Sequence, residues 1–503
     1  MKVAQLEKDQ LVDLVAQQSE RIAVLEQQLR LMASRQYGRK SESIPEEQYA
    51  LFQTPLKVET KSDEQEDTEQ ITYTRKKRGK RSPCDENLEH QRIDYELAPE
   101  QRQCTCGGEL AKIDEVIAKQ YEMIPARTIV IEHVQHKYAC PCCKQNVQLA
   151  AKPPQPIEKS IAGPGLLAHI VTTKYVDGVP LHRQEKQLAR GGMDINRNSM
   201  SRWVIQLANV ILPLVNLFED AIRAGPYIQC DETPYQVLKE KARKAESSSY
   251  IWVRRGGASG KQVVMYRYFP SRSSAVAKCL FEEYRGYVQC DGYSAYHCLE
   301  KQGITLVGCM AHARRKFNDA LKGLSKKEAT QKSKAMAGLK YIKQLYAIEK
   351  EIKALSIEQR YQTRQEKALP VLEEFKIWLE AQHVLPKSLL GKAISYTLNQ
   401  WPRLIRYCED GHLHIDNNAD EQAVRPLAIG RKNYLFSDTP NGAHANAHFY
   451  SLIETCKLHG HEPYAYLKHI FKELPKVTTI EQYEALLPWN LDGKRLKKKA
   501  SEV

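Results

Sequence analysis

Tyr227-Ile228-Gln229-Cys230-Asp231 and Tyr287-Val288-Gln289-Cys290-Asp291 are one phrase written twice, sixty residues apart. Each reads as a short β-strand, apolar at alternate positions, that ends in an acidic residue instead of a turn residue. Two strands of one sheet, each delivering an Asp from its last position, place two carboxylates side by side at one edge. Unpaired carboxylates at that distance repel, so the arrangement makes most sense with a divalent cation between them. That is the core of a metal-dependent phosphoryl-transfer site. Taken separately, each Asp also reads as an N-cap or turn residue.

Around the repeat the sequence predicts a strand pair over 249–256 and 261–269 about Gly256-Gly257, a helix over 273–284 and a fifth strand over 304–310. Three strands, a helix, then a strand beside the first is the order of the ribonuclease-H-like fold. There the first and fourth strands are neighbours, and Asp231 and Asp291 converge. Such a site needs a third carboxylate. Residues 311–400 read as Lys-rich helices, with apolar faces at Ile342, Leu345, Ile352 and at Leu390, Ile394, Leu398, inserted into the fold. Beyond them comes Asp416-Asn417-Asn418-Ala419-Asp420-Glu421-Gln422-Ala423-Val424-Arg425. Asn417 or Asn418 can cap a helix on which Glu421 and Arg425, four apart, share a face. A helical Glu reaching back over two strand Asps completes a ligand set for two magnesium ions. Asp416 and Asp420 are rival candidates for the third ligand.

The rest of the chain is modular. Its 503 residues exceed what one core holds, and 27% charged with 42% hydrophobic residues predicts that most of it folds. No stretch approaches a membrane span and the N-terminus is polar, so a cytosolic, reducing location is expected, with the thirteen cysteines as thiols or metal ligands. The net charge of +14 suits a polyanionic partner. Leu11, Val15, Gln18, Ile22, Leu25, Leu29 and Met32 form a heptad seam for self-association, or else the apolar face of a helix packed on its own chain. An acidic patch at Asp63 to Glu69 and the basic run Arg75-Lys76-Lys77-Arg78-Gly79-Lys80-Arg81 read as a flexible linker. Cys104 and Cys106, then Cys140 and Cys143, bracket strand-like sequence in the pattern of a closed structural zinc site, with Cys142 a possible substitute. A helix over 181–190, a break at Gly191-Gly192 and a helix starting near Asn198 or Ser199 resemble a helix-turn-helix, with Arg197 and Arg202 as candidate DNA contacts. Any helical hairpin gives the same pattern.

The expected architecture is thus multidomain α+β. A coiled coil at 1–42 and a linker at 43–83 precede a zinc module at 84–150 and a helical block at 151–224. Catalytic segments at 225–310 and 411–470 flank a helical insertion at 311–410, and a basic tail follows at 471–503.

The chain resembles the DDE transposases of the insertion-sequence-66 family over nearly its whole length. The resemblance is carried by Tyr37-Gly38-Arg39-Lys40-Ser41-Glu42, the cysteine module, Cys230-Asp231-Glu232-Thr233 and Cys290-Asp291-Gly292-Tyr293. It continues in Ala311-His312-Ala313-Arg314-Arg315-Lys316-Phe317, Asp416-Asn417-Asn418 with Glu421 and Arg425, and Gly430-Arg431-Lys432-Asn433. The last motif is Ser451-Leu452-Ile453-Glu454-Thr455-Cys456-Lys457-Leu458. Met310 and Tyr434 depart from the aromatic and Trp usual at their positions. The resemblance implies a triad of Asp231, Asp291 and Glu421 working with Mg2+ or Mn2+. Water would attack at the element end, and the freed 3′-hydroxyl would then attack target DNA. His312, Arg314, Arg315 and Arg425 are candidate phosphate contacts, His312 equally a satisfied core histidine. Arg431 and Lys432 could hold DNA or a flanking carboxylate. DNA, a second copy of the chain and companion proteins of the same element are the expected partners. A non-catalytic DNA-binding regulator and a nuclease of the same fold are the rival readings.

Overall fold

The two copies of the repeated phrase lie side by side in parallel, Tyr227 opposite Tyr287, Ile228 opposite Val288 and Gln229 opposite Gln289. They occupy the middle of a five-stranded sheet in a computed structural model of the chain, which describes residues 8–37, 128–138, 148–325, 328, 333–494 and 496. Two compact units divide the chain, Met1–Ser41 with Glu132–Val503, and Glu42–Ile131. All elements named below belong to the first. The expected zinc ligands Cys104, Cys106, Cys140, Cys142 and Cys143, and the charged linker, lie outside the described residues.

In chain order the helices before the sheet are α1 (Lys8–Tyr37), α2 (Pro164–Tyr175), α3 (Leu181–Arg190), α4 (Arg197–Val210) and α5 (Leu212–Arg223). The sheet follows with β1 (Tyr227–Gln236), β2 (Ser248–Gly256), β3 (Val263–Phe269), α6 (Ser274–Leu280), β4 (Tyr287–Gln289) and β5 (Thr305–Val307). Its order is β3-β2-β1-β4-β5, antiparallel on the β3 side and parallel on the β5 side. Then come α7 (Met310–Lys322), α8 (Lys334–Glu351), α9 (Ile357–Thr363), α10 (Leu369–Glu380), α11 (Leu389–Leu404), α12 (Asn418–Tyr434), α13 (Pro440–Leu458), α14 (Pro463–Glu473) and α15 (Ile480–Glu484). No single helix among the described residues is long and apolar enough to cross a membrane.

Three expectations need correction. β1 does not stop at Asp231 but runs on to Gln236 against β2, so Asp231 is mid-strand and marks only the end of the parallel half. β5 ends at Val307, and Met310 opens α7 inside the core instead of closing a strand. The tail expected from residue 471 is folded as far as residue 494. Leu486 and Leu487 are buried, Trp489 packs on Phe218 of α5, and the Tyr466 hydroxyl donates to the Leu486 carbonyl. Apolar side chains at these positions outweigh the flanking lysines.

Among the described residues two hydrophobic cores form. One joins the sheet to α2–α5 and to α12–α14; the other joins residues 307–415 among themselves, from Val307 and Phe317 to Trp401 and Ile415. A buried Arg254 on β2 ties the first together, donating to both Glu219 oxygens on α5 at 2.7 and 2.6 Å and to the Leu280 carbonyl at 2.9 Å. Burial alone would raise the Glu219 carboxyl, but Arg254, Arg267 and Arg223 hold it down at about 2. Arg364 does the same work in the second core. Its five N–H groups reach both Glu349 oxygens and the carbonyls of Tyr407, Asp410 and Leu413, all at 2.7–2.9 Å.

The α3–α4 hairpin forms at the expected place. Gly192 adopts φ +84° in the turn, and α4 starts at Arg197 because the Asn196 side chain accepts from the Ser199 N–H at 3.0 Å. Along α1, Val15, Ile22, Leu25, Leu29 and Met32 are all at least half exposed. Another face meets the chain, through buried Leu31 and the Arg30 Nε bond to the Gly323 carbonyl. The side chain of Leu11 lies outside the described residues.

The outer edge of β3 is closed by a helix. The Tyr266 N–H donates to Ser451 Oγ at 2.8 Å and the Val264 N–H to Thr455 Oγ1 at 3.1 Å. The Thr455 hydroxyl donates back to the Val264 carbonyl at 3.2 Å, while the Ser451 hydroxyl donates to the Ala447 carbonyl of its own helix at 2.8 Å. Four residues of helix rise about 6 Å and two of strand about 6.8 Å, so hydroxyls at i and i+4 match alternate strand amides. Thr455→Val, which keeps the shape and removes the hydroxyl, is expected to cost about 1–3 kcal/mol in chemical denaturation. Ser451→Ala should do the same. A change below about 0.5 kcal/mol in both would mean the edge is satisfied another way.

Candidate active site

The glutamines of the repeated phrase, unremarked in the sequence, build the floor of the site. Gln229 Nε2 donates to Gln289 Oε1 at 2.9 Å and to the Asp416 carbonyl at 3.0 Å. Gln289 Nε2 donates to the carbonyls of Gly308 at 3.0 Å and His414 at 2.8 Å, and the Tyr227 hydroxyl donates to Gln289 Oε1. Both glutamines are buried, so these bonds fix the loop at 414–416 to the ends of β1 and β4. A Gln repeated at the buried phase of a strand was the available signal, since a buried amide must find partners.

That loop delivers α12. Asp416 is engaged in shaping it, accepting from the Tyr346 hydroxyl at 2.6 Å and from the Asn418 side chain and N–H at 2.6 and 3.1 Å. Asn417 occupies the N-cap position but makes no side-chain cap bond. Its Nδ2 donates instead to the Cys230 carbonyl at 3.1 Å and its N–H to Cys309 Sγ at 3.3 Å. The expected cap is therefore a tether: α12 starts pinned to the strand that carries Asp231. Asp420 and Glu421 follow in its first turn, where the helix dipole favours negative charge.

The parallel pairing ends at Gln229 and Gln289, two residues short of the aspartates, and Asp291 lies near enough to raise the Asp231 carboxyl. Asp231 Oδ1 accepts from the Glu232 N–H and Asp291 Oδ1 from the Tyr293 N–H, each at 2.9 Å. Burial pushes the Asp231 carboxyl from 3.8 up to about 7; Asp291 and Glu421 add to this, against the Glu232 amide and Arg315. Glu232, which sequence reasoning did not single out, is pushed up to about 7 by burial and by Asp291 and Asp231, although the Tyr296 hydroxyl donates to it at 2.7 Å. Asp420 is fully buried and raised well above the carboxylate range by burial and by Asp231. Neither Asp420 oxygen has a hydrogen-bond partner, nor does Glu421 Oε1. The carboxylates are crowded enough to raise one another, but among the described residues Asp231, Asp291 and Glu421 do not bring their oxygens within 4.8 Å of one another.

The basic residues divide. His312 lies in the first turn of α7, not at a strand end, with Nδ1 4.0 Å from Glu421 Oε1; burial and Arg315 lower its pKa. Arg315 reaches Glu421 Oε2 at 3.3 Å, and Arg314 stacks over the Tyr346 ring at 5.3 Å. On α12, Arg431 donates to the Pro234 carbonyl, while Arg425 and Lys432 are exposed. Arg197 and Arg202 are exposed on α4.

Four family profiles match the chain. The transposase IS66 family matches residues 159–445, the IS66 C-terminal element 451–489 and the zinc-finger binding domain of transposase IS66 101–144. A domain described as transposase C of IS166 homeodomain matches 24–93. The zinc-finger match spans all five cysteines assigned to the module. Among relatives in Sinorhizobium fredii, the uncharacterized protein y4jD is 32% identical over 79% of this chain and 80% of its own length. The uncharacterized protein y4qI is 30% identical over 94% and 89%. With its largest match covering more than half of 503 residues, the chain belongs to the transposase IS66 family.

Proposed function

We propose that this transposase cleaves the ends of an insertion element and joins the freed 3′-hydroxyls to target DNA by metal-dependent phosphoryl transfer. One observation supports the reading: the repeated phrase pairs in parallel up to two residues before its aspartates, and the Asp231 carboxyl is raised by Asp291 and by Glu421. In this reading the sheet is ribonuclease-H-like and residues 311–410 are a helical insertion with a core of their own. Asp231, Asp291 and Glu421 hold two magnesium or manganese ions. Bound ions would lower the pKa of the attacking water and stabilise the leaving 3′ oxygen. Glu421 is preferred to Asp416, whose carboxylate is engaged by Tyr346 and Asn418, and to Asp420, which is closed off from solvent.

The remaining roles follow from position. His312, Arg314 and Arg315, on the helix facing Glu421, meet phosphate oxygens or developing charge. Arg425, Arg431 and Lys432 on α12 and Arg197 and Arg202 on α4 hold DNA. Cys104, Cys106, Cys140 and Cys143, or Cys142 in place of a neighbour, hold a structural zinc. Two element ends must be cut together, and the exposed heptad seam of α1 supports a homodimer. The nucleoid is the site of action, with companion proteins of the element as further partners.

Asp231→Asn should abolish magnesium-dependent cleavage and joining of labelled element ends, by more than the 10–100-fold typical of losing an outer-shell partner. Cleavage without joined products in the wild type would make the protein a nuclease. The carboxyls of Asp231 and Glu232 give a second test. Raised to about 7, they bind more protons folded than unfolded, so metal-free stability falls as pH rises from about 4 to about 7. Magnesium must displace those protons at the acid end. It should therefore raise the melting temperature more at about pH 8 than at about pH 6; equal shifts would argue against a cation at Asp231. Third, Leu25→Glu with Leu29→Glu, at positions 50% and 66% exposed, should give monomers by light scattering with stability within about 0.5 kcal/mol of wild type. A dimer that survives the double substitution rules out the seam.

A further inference from the structure

Among the described residues, one set of potential metal ligands is closed tightly enough for their donor atoms all to lie within 4.8 Å of one another: Cys309, His312 and Glu421. It differs from the carboxylate triad in chemistry as well as in membership. Cys309 is the N-cap of α7 and His312 lies three residues on, so a single helical turn presents thiol and imidazole on one side. Glu421 comes from the first turn of α12, whose tether at Asn417 also touches Cys309 Sγ.

Two observations point to a ligand there. His312 Nδ1 and Glu421 Oε1 are both shielded from solvent, and neither has a hydrogen-bond partner. They face each other at 4.0 Å, too far for a hydrogen bond. Two ligands of one tetrahedral zinc, at about 2.0–2.3 Å each, stand about 3.4–3.6 Å apart, so the set needs to close by about one ångström. Leaving both atoms bare is costly in a buried site, and an ion between them removes the cost.

We propose that Cys309, His312 and Glu421 form a second metal site, selective for a zinc-class ion and distinct from the cysteine module. Sulfur and imidazole favour zinc over magnesium, which takes oxygen ligands. Three protein ligands leave a fourth position for water or a phosphate oxygen. Binding releases the Cys309 thiol proton to solvent, and the sulfur then bonds the ion. Because Glu421 is shared, an ion held there withdraws it from the magnesium pair. Only this last consequence rests on the proposed transposition chemistry; occupancy of the site does not.

The test is zinc stoichiometry of the full chain, without DNA, after equilibration with buffered zinc. Wild type should hold two ions per chain, one in the cysteine module and one here. Cys309→Ser and His312→Ala should each lose one and keep the other, with the thermal melt showing that both variants fold. His312, partly exposed, provides the variant least dependent on core packing. Asp231→Asn should keep both ions, even where it abolishes cleavage. One zinc in wild type, or two retained in both variants, overturns the proposal. Loss of an ion in Asp231→Asn would assign it to the carboxylate site and overturn the proposal equally. Cobalt substitution adds a signature that a merely structural role would not move, since the thiolate-to-metal band of the second ion should vanish in Cys309→Ser.

Discussion

The buried amide ladder between Gln229 and Gln289 is the interaction on which the site depends. Gln289 has its donors and acceptor met, and Gln229 both of its donors, in the observed alignment of β1 with β4. A slip of one residue would turn the glutamines to the other face and leave amides buried without partners, at about 1–3 kcal/mol for each group. The ladder thus fixes which residues of the two strands stand level, two positions before the aspartates. It carries no charge, so it holds register without adding to a field already crowded with carboxylates. The same amides grip the loop leading to α12, while Arg364 holds that loop from the second core through Tyr407, Asp410 and Leu413. Strand pairing and helix placement are therefore one event.

Electrostatic strain is concentrated where this frame converges. In the two cores buried arginines are matched by carboxylates, Arg254 with Glu219 and Arg364 with Glu349. Around Asp231 the balance is broken, with Asp231 and Glu232 at about 7 and Asp420 without a donor. A folded protein keeps such a region only where surrounding packing over-determines it. The two cores on either side supply that packing.

The repeated phrase made the parallel pairing, the strand order and the convergence of Asp231 and Asp291 legible in the sequence. The true length of β1 was not. Glu232 and Pro234 look like strand breakers, yet beyond Gln229 the only strand paired with β1 is β2, and on its other side the Asn417 and Arg431 side chains and the Ser437 N–H reach the carbonyls of Cys230, Pro234 and Gln236. A proline there interrupts no ladder. The tether at Asn417 was hidden for a different reason: a cap motif is local, whereas its actual partners, Cys230 and Cys309, are distant in sequence. Glu232 and the folded segment after residue 471 were missed because burial by distant elements, not local composition, decides them. The exposure of the seam positions on α1 could be learned only from the face that α1 turns inward.

The closure of β3 by Ser451 and Thr455 bears on how the chain is made. During synthesis the sheet strands leave the ribosome well before residues 440–458 do. Until α13 arrives, the amides of Val264 and Tyr266 face solvent as a free template, open to pairing with a strand of another nascent chain. The last third of the polypeptide therefore acts as an internal chaperone for the middle third. Truncated products that end before residue 440 would keep this edge exposed and be prone to aggregate.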